Sequence, residues 1–285
     1  MRLGGRRESR NVEDRRGMSA GRIGRGKIGI GTIVLALVAM YFGVDPRVVL
    51  DTAGLVEPQP APMSAGGRSP AEDEVARFVS KVLADTEDTW GPMFANAGRR
   101  YQEPRLVLFT GATQSACGLG RAETGPFYCP ADGKVYLDLV FFEELHSRFG
   151  APGDFAQAYV IAHEVGHHVQ NLLGISGKVQ QARQRSSERE ANQLSVRLEL
   201  QADCLAGVWA HHADRTRQVL EAGDVEEALG AASAIGDDRI QKQSRGYVTP
   251  DSFTHGSAAQ RVRWFRQGLA KGDMSACDTF SAASL

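Results

Sequence analysis

The chain has 285 residues, 42% of them apolar and 24% charged, with a net charge of −1. That balance excludes a chain without a core and leaves room for one large domain or two modest ones. The near-neutral total hides an asymmetry: residues 1–27 carry nine basic groups against Glu8, Glu13 and Asp14, a local charge of +6 that leaves −7 for the remainder.

A basic arm can serve nucleic acid, but the next stretch points elsewhere. "IGIGTIVLALVAMYFGV", residues 28–44, holds no charge. As a helix it spans roughly 26 Å at about 1.5 Å per residue, the short end of what crosses a bilayer. The expectation is one transmembrane helix over 28–44 with the arm 1–27 in the cytoplasm, because basic flanks stay inside. A cleaved signal peptide competes, but the basic region is long and no small-x-small cleavage site follows closely; a buried core helix is the third reading. No nucleic-acid partner is expected, and the rest of the chain is placed outside the cytoplasm.

"EPQPAPMSAGGRSP" is too poor in large apolar groups to order itself, so residues 45–70 read as a linker. The domain is expected over 71–285. It opens with a helical pattern from Ala71, and "RLVLFTG" (105–111) and "KVYLDL" (134–139) then read as strands. Helices are expected over 140–148, 154–173, 188–212, 225–243 and 258–270. Ser187 with Glu190 and Ser257 with Gln260 have the spacing of capping boxes. The fold class is therefore α+β, mostly helical with a small early sheet. Cys117, Cys129, Cys204 and Cys277 form no CxxC pair, and disulfides suit an exported domain. The favoured pairing is Cys117 with Cys129 and Cys204 with Cys277; four buried free thiols are the alternative.

The densest chemistry lies in "AHEVGHHVQ", residues 162–170. On a helix Phe155, Tyr159, Ala162, Gly166, Val169 and Leu173 share one stripe, while His163 and His167 fall together about 100° away. His168 points elsewhere and is not expected to bind. Two imidazoles four apart can grip one zinc ion, and Glu164, beside the first, can move a proton to and from water. A third ligand is needed. Gln170 and Leu173 stand where the HExxHxxGxxH pattern requires Gly and His, so the ligand must come from another element. In "RLELQADCLAGVWAHH", Glu199 and Asp203 share a face flanked by Ala202 and Ala206, which let another helix approach. Glu199 is the expected third ligand and Asp203 the acceptor for the outward N–H of a ligand histidine. A solvated acidic face is the bland reading of that pair.

With these residues in place the chain resembles the gluzincins and, over nearly its whole length, the bacterial YpfJ-type family of neutral zinc metallopeptidases. The resemblance rests on "GRRESRNVEDRRG", "GPFYCP", "VYLDLVFFEEL", "AHEVGHHVQ", "ELQADCLAGVW", "PDSFTHGS" and "QRVRWF". The ExxxD element and a later His-x5-Arg, His255 and Arg261, are also similar to membrane-bound HtpX-type peptidases, though Gly256 stands where those have Pro. The resemblance implies a zincin-like domain with one zinc per chain on His163, His167 and Glu199, and a protein or peptide substrate. With the uncharged run 28–44 and its basic flank, the expected location is the bacterial cell membrane, single-pass, with the N-terminus cytoplasmic and the catalytic domain on the periplasmic or extracellular side.

A peptidase mechanism needs a donor for the negative oxygen that develops, and His255 is expected to supply it, with Arg261 in a supporting ion pair. The edge near Phe127 to Asp138 is expected to border the cleft and take extended substrate, braced by Cys117–Cys129; a structural hairpin is the alternative. Two rival functions remain: an inactive zinc-stabilised binding module, and a metal-free protein whose main role is membrane anchoring.

Overall fold

The structure, a computed structural model, describes residues 1–18 and 70–285. Eight α-helices and six strands occur among them. In chain order these are β1 (Val12–Asp14), α1 (Pro70–Asn96), β2 (Arg105–Phe109), β3 (Ala112–Ser115), β4 (Gly118–Arg121), β5 (Phe127–Cys129) and β6 (Lys134–Asp138). The helical part follows as α2 (Val140–Ser147), α3 (Asp154–Leu172), α4 (Ile175–Arg183), α5 (Glu188–Arg217), α6 (Asp224–Ala234), α7 (Asp237–Arg245) and α8 (Ala258–Lys271). The α+β expectation holds.

The sheet runs β1-β2-β6-β5, with β1, β2 and β6 parallel and β5 antiparallel at one edge; β3 and β4 form a separate hairpin. Strand β2 alternates with period two between faces. Leu106 and Leu108 enter the main core, whereas Val107 and Phe109 meet Cys129 and Tyr136 in a smaller cluster behind it. Covered on both sides, the strand reads as the unbroken apolar run that its sequence shows.

Small residues set the helix spacings. A Cβ on Gly268 of α8 would overlap the Cys204 carbonyl oxygen of α5, and one on Gly207 would overlap the Phe265 carbonyl, so the two helices cross backbone to backbone. A Cβ on Gly166 of α3 would lie 3.0 Å from the Ala202 carbonyl oxygen, so α3 also packs closely on α5, though less tightly than α8 does. Both capping boxes are present, at Ser187 with Glu190 and Ser257 with Gln260. Both favoured disulfides, Cys117–Cys129 and Cys204–Cys277, are formed.

Three expectations change. The helix expected over 225–243 is two, α6 and α7, because Gly236 takes an extended conformation and its α-carbon sits against Ala258, leaving no room for a side chain. The strands β1, β3, β4 and β5 and the helix α4 add to the predicted elements; each strand has five residues or fewer, too short for a period-two signal. Finally, residues 1–27 do not form one separate arm: Met1–Arg16 and Ser69–Leu285 make a single compact unit, with β1 paired in register to β2. The apolar run 28–44 and nearly all of the linker lie outside the described residues. No described helix is long and apolar enough to cross a membrane.

Candidate metal centre

Helix α3 carries His163 and His167 one turn apart, their ring centroids 4.8 Å from each other. The close crossing at Gly166 and Ala202 sets them against α5, where Glu199 reaches both: His163 Nε2 lies 3.2 Å from Glu199 Oε2 and His167 Nε2 3.4 Å from Glu199 Oε1. Two donors bound at about 2.0–2.1 Å around a tetrahedral ion sit about 3.3 Å apart, so the spacing fits zinc. All three ligand atoms lie within 4.8 Å of one another.

The outer face of each imidazole is fixed by an acceptor. His163 Nδ1 lies 2.8 Å from Asp203 Oδ1, on a carboxylate with no solvent exposure. Arg261 donates to both Asp203 oxygens at 2.9 Å and the Tyr159 hydroxyl donates to Oδ1 at 2.5 Å. With its acceptor capacity filled by donors, Asp203 requires a proton on His163 Nδ1 and leaves Nε2 its lone pair. For His167 the same task falls to Gln170, whose NH2 group donates to the Leu198 carbonyl at 2.7 Å and to Gln201 at 3.1 Å. That orientation turns Gln170 Oε1 toward His167 Nδ1 at 2.9 Å. Both Nε2 atoms therefore face Glu199 as potential ligands.

Burial opposes a charge on His163, but the Asp203 and Glu199 carboxylates outweigh it and hold its pKa at about 10. Burial likewise opposes a charge on His167, and Glu199 raises its pKa in spite of it. Burial would raise Glu199, yet His167 and His163 keep it well below the usual carboxylate range. The cluster is built to surround positive charge, which protons supply when no cation does.

Glu164 is 8% exposed and makes no hydrogen bond or ion pair among the described residues. Its carboxylate oxygens keep access to solvent while its charge acts on His167, which suits a group that exchanges protons with water beside this donor set. His168 stands apart from the cluster, its Nε2 2.6 Å from the Gln102 carbonyl and its Nδ1 3.0 Å from the Tyr128 hydroxyl. Tyr128 belongs to β5, which ties that edge strand to the metal-site helix. Of the segment expected to border the cleft, only Phe127–Cys129 is an edge; β6 lies between β2 and β5 and has no free side.

His255 sits in the loop before α8, its side chain half exposed and its Nδ1 3.2 Å from Asp237 Oδ1. The bond to Asp237 raises the His255 pKa, against burial and with help from the charge of Glu199. The next residue, Gly256, rests on Val196 and Leu200, which flank Glu199 on α5. Its φ of +89° is closed to proline, so this turn differs from one built on His-Pro. Arg261, expected in a supporting ion pair, forms one with Asp203; it is 2% exposed and also bonded to Tyr159. Asp237 escaped the sequence reading, and it organises the whole loop by accepting from the backbone N–H groups of Thr254, His255 and Gly256 at 2.7, 2.6 and 3.0 Å. Gln170 and Tyr159 escaped as ligand supports too, one being used only to exclude another motif and the other read as core.

A second acidic group, Asp154, Asp224 and Glu227, also has metal-like spacing. It already holds a cation, since the Met1 ammonium lies 3.0 Å from Asp154 and 3.4 Å from Asp224.

Comparison with known proteins agrees with the geometry. The sequence model of the family described as "Putative neutral zinc metallopeptidase" matches residues 1–280. The chain is 54% identical over 290 residues to the uncharacterized protein YpfJ of Escherichia coli, covering 98% of this chain and 99% of that one. It is 43% identical over 262 residues to an uncharacterized protein of Mycobacterium tuberculosis, covering 87% and 86%. No solved structure matches. The chain belongs to the neutral zinc metallopeptidase family.

Proposed function

We propose that the protein is a membrane-anchored zinc endopeptidase, with His163, His167 and Glu199 holding one zinc ion and Glu164 acting as general base. The observation that carries this reading is the Glu164 carboxylate, solvent-accessible and in no hydrogen bond or ion pair among the described residues, beside three convergent ligand atoms. A purely structural zinc site needs no such group. When bound, zinc supplies Lewis acidity, which acidifies water and polarises a carbonyl.

Glu164 takes the proton that water loses as its oxygen bonds to the peptide carbon, then gives it to the nitrogen as the C–N bond breaks. Asp203 and Gln170 keep both ligand imidazoles in one tautomer throughout. His255, whose pKa is raised by its bond to Asp237, donates through Nε2 to the oxygen that turns negative. An extended substrate pairs with the backbone of β5, which supplies affinity with little side-chain selectivity. Residues 28–44 serve as the anchor, supported by their uncharged apolar sequence. Two disulfides support a domain outside the reducing cytoplasm.

The test is cleavage of folded and unfolded protein substrates by the wild type and Glu164→Gln, with zinc measured in both. Activity in the wild type alone, at equal zinc content, is expected. Equal cleavage by the two would overturn the role of Glu164, and zinc without cleavage in either would leave a binding module.

A further inference from the structure

The sequence motif "GRRESRNVEDRRG" has no part in the proposed chemistry, yet it is bound to the domain along its whole length. Leu3 is buried in the main core at 7% exposure. Ser9 exchanges hydrogen bonds with Ser80 of α1, its N–H donating to the Ser80 carbonyl at 3.1 Å and its carbonyl accepting from the Ser80 hydroxyl at 3.2 Å. Val12–Asp14 then pairs in parallel with Leu106–Leu108 as the outer strand of the sheet, and Leu106 N–H donates to the Asn11 carbonyl at 2.8 Å.

The polar residues make the docking specific. Glu87 of α1 is 4% exposed, and its partners are Ser9 at 2.5 Å, Asn11 at 2.9 Å and Arg7 at 2.8 Å, all from this segment. Without the segment that site would hold a carboxylate with none of the groups that satisfy it, which is costly wherever water is excluded. Lys134 of β6 reaches back to Glu13 at 3.0 Å.

This docking conflicts with a single membrane crossing. Were residues 28–44 to cross once, Met1–Arg16 and the domain would lie on opposite sides, and β1 could not pair with β2. The conflict is resolved on the side of the fold, because the strand pairing and the buried Glu87 contacts hold the segment to the domain, and four of the nine cations of residues 1–27 are paired in place. Arg2 pairs with Glu221, Arg7 with Glu87 and Asp88, Arg15 with Glu13, and Arg16 with Asp14.

We infer that Met1–Arg16 and the peptidase domain occupy the same side of the membrane, so that residues 28–44 attach the protein without separating the two. The N-terminal motif is then the edge strand and strap of the exported domain and not a cytoplasmic arm. The inference rests on the proposed function only for the side concerned.

The experiment uses the full chain in spheroplasts of a bacterial host. All four native cysteines are in disulfides, so a single added cysteine reports its own location. Arg10→Cys and Glu143→Cys place one on an exposed position of the strap and one on an exposed position of the domain. Glu8→Cys, also exposed, is the second reporter should Arg10→Cys fail to accumulate. Each is treated with a membrane-impermeant maleimide before and after lysis. Labelling of strap and domain before lysis is expected. Labelling of the domain alone before lysis is the single-crossing result and overturns the inference. Protection of both until lysis keeps them on one side and overturns the exported placement proposed above.

Discussion

Replacing Arg261 by Met keeps the length of the side chain and removes its charge and donors. Asp203 has no solvent exposure and would lose both Arg261 hydrogen bonds, at 2.9 Å each, while Tyr159 would lose the one it accepts at 3.2 Å. Removing one partner of a buried pair typically costs about 3–5 kcal/mol because the other charge stays behind. In the zinc-free protein His163 offsets part of this, since its proton also faces Asp203; about 3 kcal/mol is therefore expected, a large share of the roughly 5–15 kcal/mol that holds a domain together. The assay is urea unfolding in the presence of a chelator for the wild type, Arg261→Met, Asp203→Asn and the double variant. The double variant should be more stable than the sum of the two single losses implies, because neither charge is left unpaired. Zinc affinity should also fall by about 10–100-fold in Asp203→Asn, which loses the acceptor that orients His163. A cost below about 1 kcal/mol for Arg261→Met, or additive losses in the double variant, would refute the assignment of this pair as the clamp behind His163.

Zinc-free stability should depend on pH through His163. Its folded pKa of about 10 exceeds the ordinary 6.5, so its contribution is complete below about 6.5 and is lost as pH rises toward 10. The melting temperature of the chelated protein should accordingly drop between pH 6.5 and 9, while the increment produced by added zinc grows, since metal and proton compete for one nitrogen; a flat profile in the wild type would contradict this. Opening Cys204–Cys277, which closes a 73-residue separation, should cost about 4 kcal/mol, and opening Cys117–Cys129, with a separation of 12, about 3 kcal/mol, by chain entropy; paired Cys→Ala variants in urea unfolding provide the check. His255→Ala should lower turnover by about 10²-fold at unchanged zinc content, and Asp237→Asn should do so more mildly; zinc loss in either would assign the loop to metal binding instead.

What could be read from the sequence divides along physical lines. The convergence of His163, His167 and Glu199, with Asp203 behind His163, was legible because helical spacing alone puts His163 with His167 and Glu199 with Asp203, and because Gly166 and Ala202 mark the helix faces that meet. The capping boxes at Ser187 and Ser257 were legible because they are local. Gln170 was not recognised as a ligand support, since its orientation is set by the Leu198 carbonyl on another helix. The ion pair expected of Arg261 forms, but its partner was not legible, because Arg261 is carried to Asp203 by the glycine crossing of α5 and α8. Strand β5 has three residues, and only its pairing with β6 and the Tyr128 bond to His168 give it meaning. Charge is the property that local sequence reads least completely. Nine cations before an apolar run read as a cytoplasmic flank, and nothing local to that stretch reveals the acidic partners about eighty and two hundred and twenty residues away that Arg7 and Arg2 meet.

The central claim is that His163, His167 and Glu199 hold the zinc beside Glu164. Crystals of the full chain allow anomalous diffraction to be measured on either side of the zinc absorption edge. One anomalous peak per chain is predicted, bounded by His163 Nε2, His167 Nε2 and the Glu199 carboxylate. A peak at Asp154, Asp224 and Glu227 instead, or no peak from protein purified with zinc present, would contradict the account.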